Sequence, residues 1–103
     1  NNQDMVYMGI AGADVTTSIS ESENIPIGVY VAEVSMNSPA IAAGIQPGDI
    51  ITGMSGQNVI NMKDIMSVLL TCVSGQKVQV VLQRSSMNGY QELETTVELK
   101  ILE

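Results

Sequence analysis

Hydrophobic and polar positions alternate most strictly near the end of the chain. Val78, Val80 and Leu82 alternate with Lys77, Gln79 and Gln83, and Leu93, Val97, Leu99 and Ile101 alternate with Glu94, Glu98 and Lys100. A period of two marks a strand with one buried face, and Asn88-Gly89 between the two runs is a hairpin signal. Upstream, residues 5–10 (MVYMGI) and 28–34 (GVYVAEV) read as further strands. The second should kink near Ala32–Glu33, because Val29, Val31 and Val34 do not keep one strict period.

Helix signals are short and well punctuated. Ser38-Pro39 is an N-cap followed by a first-turn proline, and the alanine-rich run after it should stop at Gly44. Pro47-Gly48 then turns the chain into a strand at Asp49-Ile50-Ile51, and Ser55-Gly56 turns it again toward Ile60. Asn61, with Asp64 three residues on, predicts a capped helix running to about Cys72. Its apolar residues form two stripes: Ile65, Leu69 and Cys72, then Met66, Leu70 and Val73. Two stripes on so short a helix imply protein on one side and another apolar partner on the other. Residues 13–27, rich in Thr, Ser and Glu, read as a polar mobile loop. The order of elements is α+β, with a small curled antiparallel sheet capped by two helices, and no internal repeat or linker.

Composition narrows the chemistry. The 103 residues are 45% hydrophobic but hold no Phe or Trp, so the core must be aliphatic, filled out by seven Met and three Tyr. The formal net charge is −7, and the only cations are Lys63, Lys77, Arg84 and Lys100. Four scattered cations make no basic face, which argues against nucleic acid and against contact with an anionic membrane. Cys72 is the sole cysteine, so no intrachain disulfide can form, and its apolar setting predicts a buried, inert thiol. No stretch approaches a membrane-spanning length, and we expect no signal peptide within these residues. The chain opens Asn1-Asn2-Gln3-Asp4, and we expect one domain over 1–103, excised from a longer protein, with flexible ends at 1–5 and 103.

Catalytic arrangements are missing. Without histidine, neither Ser-His-Asp nor Cys-His chemistry can be assembled. Gly53-Met54-Ser55-Gly56 superficially matches a serine-nucleophile turn, but a hairpin explains it. Zinc ligands are lacking, Asp14, Glu21 and Glu23 fit no calcium loop, and Gly9 and Gly12 fit no phosphate loop. We expect no catalytic residue, no cofactor and no metal in this chain.

One segment is more specific than composition. Residues 38–51 (SPAIAAGIQPGDII) resemble the central signature of PDZ domains: a short Ala-rich helix, Gly, then Pro-Gly-Asp and two aliphatics. With Tyr7-Met8-Gly9-Ile10 opening the domain and Val97–Leu102 closing it, the order resembles the circularly permuted bacterial type. The YMGI stretch is similar to the Tyr-Φ-Gly-Φ loop of HtrA-like, trypsin-like bacterial serine proteases. The hairpin around Asn88-Gly89-Tyr90 resembles the membrane-anchored Gram-positive branch.

The resemblance implies a peptide-binding module, covering about residues 6–102. Tyr7, Met8, Gly9 and Ile10 would form the loop whose amides meet a peptide's terminal carboxylate. Ala11, Gly12 and Ala13 would pair with the peptide by strand addition. Met66, Leu70 and, less favourably placed, Val73 would wall the pocket for its last, hydrophobic residue. Gly9 would be needed because the ligand approaches where a Cβ would intrude. The implied partners are polypeptide C-termini and a parent serine endopeptidase domain, for substrate capture in protein quality control or for regulation, in the extracytoplasmic cell envelope. Two alternatives remain: an assembly contact with an empty groove, or a different host such as a site-2 protease, a C-terminal processing protease or a secretion component.

Overall fold

The computed structural model describes residues 5–102. Of the flexible ends expected at 1–5 and 103, residues 1–4 and 103 lie outside the described residues. Eight strands and three helices follow in the order β1 (Val6–Tyr7), β2 (Ile10–Val15), α1 (Thr17–Glu23), β3 (Gly28–Val34), α2 (Pro39–Ala42), β4 (Ile50–Met54), β5 (Gln57–Asn58), α3 (Met62–Leu69), β6 (Lys77–Ser86), β7 (Gly89–Glu98) and β8 (Lys100–Ile101). The main sheet is antiparallel in the order β2-β3-β4-β6-β7, with β5 paired to β4. A separate two-stranded sheet joins β1 to β8, Val6 opposite Ile101 and Tyr7 opposite Lys100.

The alternation at the end of the chain becomes the long β6–β7 hairpin, registered from Lys77 opposite Glu98 to Ser86 opposite Gly89. Val78, Val80, Leu82 and Val97 face inward and are buried. Met87 and Asn88 form the tip, and Gly89 takes the left-handed conformation at φ 102°, one residue later than a primed two-residue turn would need. The kink expected in β3 is present. Pairing steps from Ala11 opposite Glu33 to Gly12 opposite Val31, which leaves Ala32 as the extra residue of a bulge.

The region read as a mobile loop is corrected. Val15 ends β2, and Thr17–Glu23 is helical, capped by Thr16, whose side chain accepts from the Ile19 amide, and closed by Asn24 at φ 58°. No residue of α1 is buried, so the helix shows no apolar stripe, and the sequence pattern had nothing to register. It also adds a third helix to the two expected. The other caps stand as read: Ser38 Oγ accepts from Ile41 N at 3.2 Å, and Asn61 Oδ1 from Asp64 N at 3.1 Å. Asp64 answers by accepting from Ile60 N at 2.8 Å, a variant of the reciprocal capping box.

The core is aliphatic, as composition required. Ile50, Ile51, Met54, Ile65, Leu82 and Leu99 are among its largest fully buried side chains. Cys72 is buried, its thiol donating to Val68 O at 3.2 Å.

Asp49 is the one charged side chain buried with it among the described residues. Its Oδ2 accepts from Gln46 N at 2.9 Å, and the Arg84 guanidinium donates to Oδ1 from Nε at 2.9 Å and to Oδ2 from Nη2 at 2.8 Å. The same Nη2 reaches Gly44 O at 2.9 Å. The turn accounts for one of these bonds, and the fork-shaped pair with Arg84 for the others.

Candidate functional site

The site is built where three backbone elements converge. β1 ends at Tyr7, the chain turns through Met8 and Gly9, and β2 begins at Ile10. Two carbonyls of this turn are held from behind. Ala40 N, in the first turn of α2, donates to Met8 O at 2.8 Å, and Ser35 N donates to Gly9 O at 2.8 Å. A carbonyl tied back into the fold leaves its peptide's N–H, which belongs to the next residue, pointing the other way; here these are the Gly9 and Ile10 amides. Among the described residues, neither the Met8 nor the Gly9 amide donates to a backbone acceptor.

Gly9 sits at φ 91°, and a Cβ built there would overlap the Ser38 side chain. The need for glycine therefore comes from the domain's own α2 cap and from backbone conformation, not from space reserved for a ligand.

In front of the turn lies a groove of about 440 Å³, lined by Met5, Val6, Tyr7, Met8, Gly9, Ile10, Ser35, Met62, Met66, Leu69 and Leu102. Among the described residues, no charged side chain lines it. One wall continues along β2, which among the described residues pairs as a strand only with β3 and so keeps its other edge open. Ala11, Gly12 and Ala13 are exposed along this strand. The opposite wall is α3, tied across the far end by Asp14 Oδ1, which accepts from Met62 N at 2.8 Å. Gly12 lets β2 lie close on β3: a Cβ there would come within 2.6 Å of Val29 Cγ1, whereas Met62 Sδ, 3.5 Å away, would be in ordinary contact.

The residues singled out from sequence divide clearly. Tyr7, Met8, Gly9, Ile10 and Met66 come together on the groove, with Ala11–Ala13 extending its edge. Leu70 and Val73 do not line it; both are 66% exposed. The α-helix ends at Leu69 instead of running to Cys72. Leu70 serves as its C-cap and Val73 lies beyond it, so the stripe with Met66 is broken. Met62 and Leu69 take their places. Leu69, on the stripe with Ile65 and Cys72, is buried and also lines the groove. The three- and four-residue spacing of Met62, Met66 and Leu69 is the helical signal that identifies this face.

The chemistry available is binding. A free pair of amides at one end suits an anion without a cation's help. An open strand edge suits an extended backbone, and an apolar floor suits a hydrophobic side chain. No cluster of groups able to hold a metal ion occurs among the described residues. No helix of the described residues is long and apolar enough to cross a membrane.

Comparison with known proteins follows the geometry. Residues 6–99 match the family model described as PDZ domain. The chain is 32% identical over 80 residues to the periplasmic pH-dependent serine endoprotease DegQ of Escherichia coli K12, covering 76% of this chain and 18% of that protein. It is 30% identical over 79 residues to a probable periplasmic serine protease do/HhoA-like of Haemophilus influenzae, covering 75% of this chain and 17% of that one. The chain thus spans under a fifth of the length of these curated relatives. Among solved structures, the HtrA3 PDZ domain bound to a phage-derived ligand superposes with a TM-score of 0.78 at 24% identity, covering 94% of this chain and 87% of that one. The family model matches nearly the whole chain, and the α+β fold superposes on that of a solved PDZ domain, so the chain belongs to the PDZ domain family.

Proposed function

We propose that this domain captures polypeptide C-termini that end in a hydrophobic residue. The observation that carries the reading is the coincidence of two free loop amides, an open β2 edge and a charge-free apolar groove in one place. The terminal carboxylate would accept from the Met8–Ile10 amides, the peptide would add antiparallel to β2, and its last side chain would enter between Met8, Met66 and Leu69. HtrA-type PDZ structures solved with peptide ligands support peptide binding in general. The curated relatives are periplasmic serine proteases, which supports an extracytoplasmic host with protease activity, in which this module delivers substrates or regulates cleavage. The chain itself contributes no catalytic group to that activity.

Matched peptides with free and amidated C-termini test the reading by calorimetric titration and amide-shift mapping. The free-acid form, ending in Val, Leu, Ile, Ala or Phe, should bind with Kd of roughly 1–500 μM. Amidation should cost about 1.5–3 kcal/mol, the worth of a charged hydrogen bond. Equal binding of both forms, or shifts confined to the face of Glu94, Glu98 and Lys100, would favour an assembly contact in its place.

A further inference from the structure

The chain contains seven methionines, and four of them, Met5, Met8, Met62 and Met66, line the groove. The other three are distributed differently: Met54 is 1% exposed in the core, while Met36 and Met87 stand in solvent at 82% and 100%. In the groove, Met8 is shielded at 2% and Met66 is open at 38%. Met62 lies between these, partly buried against the core, on the same face of α3 as Met66. The open thioether therefore sits where the ligand's last side chain would rest, against a floor with no charge to solvate a new polar group.

From this placement we propose that Met66, seconded by Met62, is an oxidation site that switches the groove off to apolar peptide ends. The inference rests on the peptide-binding reading of the groove. The oxidant class is a peroxide. A sulfur lone pair attacks one oxygen of hydrogen peroxide, the S–O bond forms as the O–O bond breaks, and the departing hydroxide takes the proton from the new S–OH to leave as water. Sulfur loses two electrons and the peroxide gains them. The product, methionine sulfoxide, replaces a soft apolar contact by a polar, chiral acceptor, and it is restored by methionine sulfoxide reductases. Burial of an apolar ligand side chain against it leaves the sulfoxide oxygen without its water, which opposes docking. The relation is reciprocal: a bound peptide covers Met66 and slows its oxidation, while Met36 and Met87 remain open.

The test uses graded hydrogen peroxide treatment, site mapping by mass spectrometry, and titration with a free-acid peptide ending in Val. Wild type should lose about tenfold or more in affinity as Met66 sulfoxide accumulates, and regain it after reductase treatment. A Met62→Leu, Met66→Leu variant should keep its affinity through the same treatment, although Met36 and Met87 oxidise equally in both proteins; this comparison separates a local switch from general unfolding. Peptide present during treatment should slow Met66 oxidation and leave Met36 and Met87 unaffected. Unchanged affinity with Met66 fully oxidised, or an equal loss in the double variant, overturns the switch while leaving peptide binding intact. Failure of the untreated domain to bind the peptide at all overturns the reading of the groove, and the switch with it.

Discussion

Asp14 and Met62, far apart in sequence, are joined by a 2.8 Å bond in which the Met62 amide donates to the Asp14 carboxylate. This bond is a second cap for α3, whose Asn61 side chain already accepts from Asp64 N. It also fixes the distance between the two groove walls, since Asp14 belongs to β2. Asp14→Ala should lower stability by about 1 kcal/mol, the value of a helix cap on an exposed surface. Urea unfolding measures it. If α3 is located by packing alone, the midpoint will not move.

Arg84 and Asp49 form the second long-range tie. Removal of Arg84 leaves a buried carboxylate with only the Gln46 amide, and Arg84→Met should cost about 3 kcal/mol. Lysine should rescue little of this loss, because it cannot make the two-pronged contact. The bond to Asp49 is the main cause that raises the guanidinium's pKa above its ordinary value, with charge attraction adding to it and desolvation opposing it. A group whose folded pKa is raised contributes stability that is complete below its unfolded pKa and lost only as pH climbs through the folded one. The stability difference between wild type and Arg84→Met should therefore stay level from neutral pH to about pH 10. A decline of that difference within this range would show that the pair is not held as described.

Charge introduced along α3 should distinguish the groove from its surroundings. Met66→Glu places a carboxylate beside the ligand's own and should weaken free-acid peptides by about tenfold or more. Leu70→Glu and Val73→Glu, which lie off the groove, should stay within about twofold. Titration of the three variants with one peptide decides the matter. Equal losses at Leu70 would move the ligand to a face that the groove does not include.

Gly9→Ala combines a positive φ with an overlap on Ser38. It should destabilise the fold by about 1–3 kcal/mol, and peptide affinity should fall with it. A thermal midpoint equal to that of the wild type would mean that the turn can relax without cost.

Helix α1 should exchange its amides early even though it is helical. It is seven residues long and buries no side chain, and so short a helix is marginal without packing. Hydrogen exchange should show protection at Val78–Leu82 and little at Thr17–Glu23. Equal protection would place α1 in the cooperative core.

Local rules made much of this structure readable in advance. Ser38, Asn61, Pro47-Gly48 and the alternation of β6 and β7 each depend on residues within a few positions of one another. Features that arise from distant residues were hidden. Asp49 and Arg84 carry no shared pattern, and neither do Asp14 and Met62. The rotation of α3 is set by what it packs on, so Met62 and Leu69 replaced Leu70 and Val73. Helix α1 escaped because it is polar on every side. The turn at Tyr7–Ile10 was singled out through family resemblance alone; its dependence on Ala40 and Ser35 as backing donors required coordinates.

The two outer strands of the main sheet carry opposite instructions for other chains. β7 displays Glu92, Glu94 and Glu98, all exposed, beside its free edge, and repulsion between copies discourages edge-to-edge stacking there. β2 is open as well, but Ala11, Gly12 and Ala13 are poor β-formers and offer little to an arbitrary strand. On the proposed reading, a visitor gains a hold only by bringing a terminal carboxylate and an apolar end to the neighbouring turn and pocket. The sheet can thus keep an edge available for ligands without inviting self-association into fibrils.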